Sequence, residues 1–181
     1  GPVECVNVEH EEVVLIPQKI EAKKVNFKYG LGAQFITTLK TIHMLGLDRK
    51  EHVDVQGISV SPRDLLAASL PDPATLGSRM KGKTCAGALV RGLNKEGKPY
   101  ACYLYNVVDN EWSMTNYGDQ AVVWQTAINP VIAMELIHKG VWVPEGVSGP
   151  EWFDAKPFLD LLSDYGTTWE IREEDSSDIH A

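Results

Sequence analysis

The chain has 181 residues, 44% of them hydrophobic, and a formal net charge of -8, enough for one domain with a substantial buried core. No long Lys/Arg run interrupts that negative balance, which excludes electrostatic capture of nucleic acid or of an anionic membrane. The apolar stretches, such as Val131 to Ile137, fall far short of the ~20 residues needed to cross a bilayer.

Cys5, Cys85 and Cys102 are odd in number, widely spaced and free of any C-x-x-C pair. Neither a disulfide framework nor a zinc knuckle is expected, and a reducing, cytoplasmic location is. Gly1-Pro2-Val3 opens without Met and without the basic and apolar regions of a signal peptide, so the chain is expected to be part of a longer polypeptide. Residues 1–172 are expected to form one domain. Residues 173–181, with Glu173, Glu174, Asp175 and Asp178, read as an acidic, disordered tail.

Val3 to Val8 and Val13 to Ile16 read as strands, and Val25 to Tyr29 alternates with period two up to Gly30, the pattern of a half-buried strand. A helix follows from Ala33 to Leu45 and is closed by Gly46. Another starts at Ser61, whose hydroxyl caps backbone donors, with Pro62 in the first turn and Asp64 favouring the dipole. Thr84 to Val90 and Tyr100 to Val108 form a hairpin through Asn94-Lys95-Glu96-Gly97. Ala121 to Trp124, apolar without a clean period, reads as a strand or buried extended segment. Pro130 opens a helix that ends at Gly140, a last helix runs from Pro157 to Leu162 and stops by Gly166, and Thr167 to Ile171 closes with a strand. The expected class is α/β (α+β): a mixed, largely antiparallel sheet with helices packed on one face.

Gly77-Ser78-Arg79-Met80-Lys81-Gly82-Lys83-Thr84 satisfies the phosphate-loop pattern letter for letter. Its context contradicts it, because a strand rather than a helix is expected after Thr84, and loop amides and helix terminus would not converge on phosphates. Tyr29-Gly30-Leu31-Gly32 lacks the third glycine of a dinucleotide fingerprint, since Phe35 stands there. His10-Glu11 begins like a zincin, but Val14 occupies the second histidine position, so no metal is expected and His10 reads as a surface or edge-strand residue.

The segment from Tyr105 to Trp112 ends a strand in Asp109, Glu111 and an indole. On a continuing strand the two carboxylates would share a face and hold an ammonium group; the alternative is a solvated strand end with Trp112 half-buried. Arg79, Lys81 and Lys83 would complement substrate carboxylates, or form a solvated loop. Trp112 and Trp124 flank Gly118-Asp119-Gln120 and would wall a pocket or fill the core.

Lys81-Gly82-Lys83-Thr84-Cys85-Ala86-Gly87, Tyr105-Asn106-Val107-Val108-Asp109, Glu111-Trp112, Tyr117-Gly118 and Gln120 to Thr126 leading to Pro130 together resemble the C-terminal region of bacterial saccharopine dehydrogenases. Ser61-Pro62-Arg63-Asp64 and Leu70-Pro71-Asp72-Pro73 look like the same proteins, and carboxynorspermidine synthases are similar in outline. The resemblance implies an oxidoreductase acting on a C–N bond between an amino acid or polyamine and an oxo acid, with NAD or NADP held by a preceding Rossmann domain and no cofactor in this part. It implies substrate binding by Arg79, Lys81, Lys83, Asp109, Glu111, Trp112, Trp124, Gln125 and Thr126, a small amino-acid/oxo-acid substrate in lysine metabolism, and a homodimer paired through the sheet. No catalytic acid or base is assigned. The alternatives are a carboxynorspermidine synthase-type enzyme and a non-catalytic binding or dimerisation module. Two positions depart from the resemblance: Asn110 stands where His is expected, which removes a titrating group, and Ala127 where Gly is expected.

Overall fold

Residues 4–177 are described by the computed structural model of the protein, so Val3 and residues 178–181 lie outside the described residues. The chain divides into two compact units, Gly1–Pro73 and Ala74–Ala181. In the first, strands β1 (Cys5–Val8) and β2 (Phe27–Gly30) pair antiparallel, and helix α2 (Ala33–Met44) follows β2. Residues Val13 to Ile16, expected to be extended, lie instead in helix α1 (Glu11–Lys19). A run of four apolar residues suits either state. Here Glu11 and Glu12 occupy the first turn and Lys19 the last, which favours the helix through its dipole. A short hairpin of β3 (Val53–Val55) and β4 (Ile58–Val60) leads into α3 (Pro62–Ser69). The Ser61 hydroxyl accepts from the Asp64 N–H at 3.3 Å, the cap expected from sequence.

The second unit is built on a long hairpin, β5 (Lys83–Leu93) and β6 (Pro99–Asp109), paired from Lys83↔Asp109 to Leu93↔Pro99. Its turn is fixed by Asn94, whose Oδ1 accepts from the N–H groups of Glu96 and Lys98, both at 2.9 Å. Strand β7 (Trp169–Glu173) adds antiparallel to β6 over Cys102 to Asn106. It takes in Glu173, and the Glu174 N–H donates to the Ala101 carbonyl at 3.0 Å.

Helices α4 (Asn110–Tyr117), α5 (Ala121–His138) and α6 (Lys156–Asp164) pack with the sheet. Val108 joins Ala121, Trp124, Ile128, Ile132, Leu136, Trp142 and Leu162 in one buried cluster. The α5 members recur every three or four residues and so share one face of the helix. The Trp169 indole donates to Leu159 O at 3.0 Å and the Tyr165 hydroxyl to Glu135 Oε2 at 2.7 Å, tying α6 to β7 and to α5.

Three expectations are corrected in this unit. Asn110 to Trp112 do not prolong the strand but start α4, which ends at Gly118 in the left-handed region (φ 77°). Ala121 to Trp124 form the first turn of α5, and Pro130 lies inside that helix instead of opening it. The apolar run hid its period because Val122 and Val123, on the outer side, are as apolar as the buried Ala121 and Trp124. Pro130 lies within α5 on its outer, exposed side, away from the buried cluster. The class itself, mixed α and β with antiparallel strands, is as expected.

Candidate functional site

At the open end of the β5–β6 hairpin, Lys83 and Asp109 are cross-strand partners. Just before β5, Gly77–Arg79 forms a 3-10 turn, so the phosphate-loop pattern ends on a strand, as its context indicated. The Asn110 N–H donates to Gly82 O at 3.0 Å, which holds the Arg79-to-Lys83 segment against the strand tip.

The organising residue is Asn110, which is buried. Its amide nitrogen donates to Gly77 O at 3.1 Å and Met80 O at 3.0 Å, and its Oδ1 accepts from the Ala121 N–H at 3.0 Å. One carboxamide therefore joins the cationic turn, the end of β6 and the start of α5. A carboxamide can donate twice and accept on one side chain. The departure noted in sequence, Asn for His, is thus a structural brace.

The nine residues singled out from sequence fall into three groups. Arg79, Lys81, Lys83 and Glu111 are exposed, and among the described residues the three cations form no ion pair. Asp109 is the N-cap of α4: its Oδ1 accepts from Glu111 N–H at 2.9 Å and Trp112 N–H at 3.1 Å. Asp109 and Glu111 therefore do not share a strand face. Trp112, Trp124 and Gln125 are engaged inside the fold, whereas Thr126 is exposed on α5 and bonds only within its own helix. Trp124 is 6% exposed and meets Trp112 edge-on with ring centroids 5.2 Å apart, Gln125 donates to Asn106 Oδ1 at 2.9 Å, and Thr126 donates to Val122 O at 2.8 Å.

Two features escaped sequence reasoning. On the sheet face turned away from α5, Tyr103 and Tyr105 stack with centroids 5.1 Å apart, and the Arg172 guanidinium lies 5.9 Å from the first ring and 6.0 Å from the second. Burial, aided by a hydrogen bond with Cys85, pushes the Tyr103 phenol up to about 12. The Tyr105 hydroxyl donates to Glu170 at 2.6 Å, and that bond raises its pKa. The two-residue spacing of the tyrosines was the available signal. The second feature is an apolar groove of about 700 Å³ bordered by α5, the segment after it and α6.

Donor atoms of His10, Glu11 and Glu12 lie within 4.8 Å of one another. Rather than sitting on an edge strand, His10 occupies the N-cap position of α1 without a side-chain capping bond, stacks on Phe27 at 4.1 Å, and is raised in pKa by its hydrogen bond to Glu12. The residues around Gly30 do not fit a dinucleotide: among the described residues β2 pairs only with β1, antiparallel, and Phe35 stands in place of the third glycine. Among the described residues no helix is long and apolar enough to cross a membrane.

Carboxynorspermidine synthase of Vibrio cholerae is 30% identical over 174 residues, covering 96% of this chain and 42% of that protein. Carboxynorspermidine synthase of Vibrio alginolyticus is 29% identical with the same coverage. Carboxyaminopropylagmatine dehydrogenase of a Synechocystis species is 29% identical over 161 residues, covering 88% of the chain and 40% of that protein. The chain thus spans about two fifths of the length of these curated relatives. The family described as saccharopine dehydrogenase C-terminal domain matches residues 1–167, and the chain belongs to that family.

Proposed function

We propose that the chain is the substrate-binding part of an NAD(P)-dependent oxidoreductase that acts on a C–N bond of a carboxylated polyamine and works as a homodimer. The observation that carries this reading is the unpaired cationic segment Arg79, Lys81 and Lys83 held beside Asp109 and Glu111, in a chain 30% identical to a carboxynorspermidine synthase. Such a substrate carries carboxylate and amine together, and the two sets of side chains complement both. Asp109 uses Oδ1 for its cap and so keeps Oδ2 for an amine. Trp112, Trp124 and Gln125 pack behind the end of β6, while Thr126, which is exposed, would contact substrate directly. The names of the relatives favour a polyamine over the lysine-derived substrate that the wider family suggests. Hydride transfer would belong to a nicotinamide held outside this chain, while these residues contribute position and charge.

The test is nicotinamide oxidation by the full-length protein with an oxo acid or amino aldehyde plus aliphatic diamines, against lysine plus 2-oxoglutarate. Turnover with the diamines is expected, and Asp109→Asn, which can still cap α4, should raise the amine KM about tenfold, a factor of about 1.4 kcal/mol. Turnover with lysine and 2-oxoglutarate alone would replace the polyamine reading by the saccharopine one. No turnover with either would leave the binding-module reading.

A further inference from the structure

Helix α5 has two apolar stripes. The inner one, Ala121, Trp124, Ile128, Ile132 and Leu136, is the core already described. The outer one is Val123, Ala127, Pro130, Met134 and Ile137, spaced four, three, four and three residues apart on the opposite side of the helix. That spacing is the seam by which one helix packs along another. Yet Met134 is 62% exposed, Ile137 is exposed, and Val143 in the following segment is 71% exposed. A helix that is apolar all round is normally covered on all sides.

The stripe runs into the apolar groove, since Pro130 and Ile137 belong to both. The groove's other walls include Trp142, Phe153 and Phe158, with Trp142 stacked on Phe153 at 4.8 Å. A concavity of about 700 Å³ beside an apolar seam suits a bulky side chain entering from a packed neighbour.

We infer that this outer stripe and groove are covered by an apolar helix of the same polypeptide from outside these 181 residues, with a large side chain seated against Trp142. The length of the relatives supports that occupant: the chain covers 42% of the carboxynorspermidine synthases, so the larger part of such a protein must find packing surface elsewhere. The inference shares with the proposed function only the longer polypeptide. Its readout is stability, so it can fail while the catalytic reading stands, and the reverse.

The experiment compares the full-length product of the coding sequence with the 181-residue chain, each carrying Met134→Glu or Met134→Leu. Met134→Glu is expected to lower the Tm of the longer protein by about 5 °C or more and to move that of the 181-residue chain by about 1 °C or less, with Met134→Leu close to neutral in both. Equal shifts in the two proteins, or no shift in the longer one, would overturn the inference. So would a coding sequence that ends with these residues, or self-association of the 181-residue chain that Met134→Glu abolishes, which would make a second copy the occupant.

Discussion

Asn110 accepts the Ala121 N–H on its Oδ1 at 3.0 Å while its amide nitrogen serves Gly77 and Met80. The side chain is buried, so removing it strands one N–H and two carbonyls without water to replace the lost bonds. Asn110→Ala is therefore expected to cost about 3 kcal/mol in urea unfolding. Asn110→His cannot reproduce the two donors and the acceptor in one plane and should cost a similar amount. A loss under about 0.5 kcal/mol would contradict the bracing role.

Asp109 offers a way to separate structure from charge. Asp109→Ala removes the cap of α4 and should destabilise by about 1 kcal/mol, whereas Asp109→Asn keeps a capping oxygen and should stay within a few tenths. Denaturant midpoints of the two variants, with unchanged slopes, check the difference.

Gly87 lies opposite Tyr105, where a Cβ would sit 2.4 Å from the Leu104 carbonyl oxygen and 2.8 Å from Tyr105 Cβ. Neither atom is the loose end of a side chain, so Gly87→Ala must displace the strand, at about 2 kcal/mol. Gly92 on the same strand has nothing within 4 Å of such an atom, and Gly92→Ala is the control expected to be nearly neutral. Thermal unfolding of both variants decides the point.

Tyr103 sets a pH dependence at the alkaline end. Its folded pKa, about 12, lies above the ordinary value of 10.0, chiefly through burial. The unfolded chain therefore gives up this proton first as pH rises. The contribution to stability is complete below pH about 10 and is lost as pH climbs through the folded value. A spectrophotometric titration of the phenols should lose amplitude near 12 in Tyr103→Phe, and a Tyr103→Phe profile identical to the parent would contradict it.

The hairpin was legible because its turn chemistry and its alternation are local: Asn94 and Gly97 sit within the four residues that make the turn. The Ser61 cap was legible for the same reason. Helix α4 was not, because Asp109 suits a strand end as well as an N-cap, and only the bonds to Glu111 and Trp112 distinguish them. Helix α5 is hidden in the sequence because its second apolar stripe erases the helical period. The neighbourhood of the Arg79-to-Lys83 segment with Asp109 followed from the hairpin, whose strands, as read from sequence, begin at Thr84 and end at Val108, whereas the role of Asn110 rests on partners 33, 30 and 11 positions away. Contacts that distant leave no pattern in a local window of sequence.

The length of the hairpin has a consequence of its own. Eleven residues per strand span roughly 37 Å, against about 27 Å for the eighteen residues of α5. Strand β7 stops pairing at Cys102, so the outermost ladder, Gly92 with Tyr100 and Leu93 with Pro99, forms a bare two-stranded ribbon. The ribbon is clamped at one end and free at the other. Thermal opening should therefore start at the Asn94 tip and halt first at the three-stranded stretch from Cys102 to Asn106, the last part of the sheet to come apart.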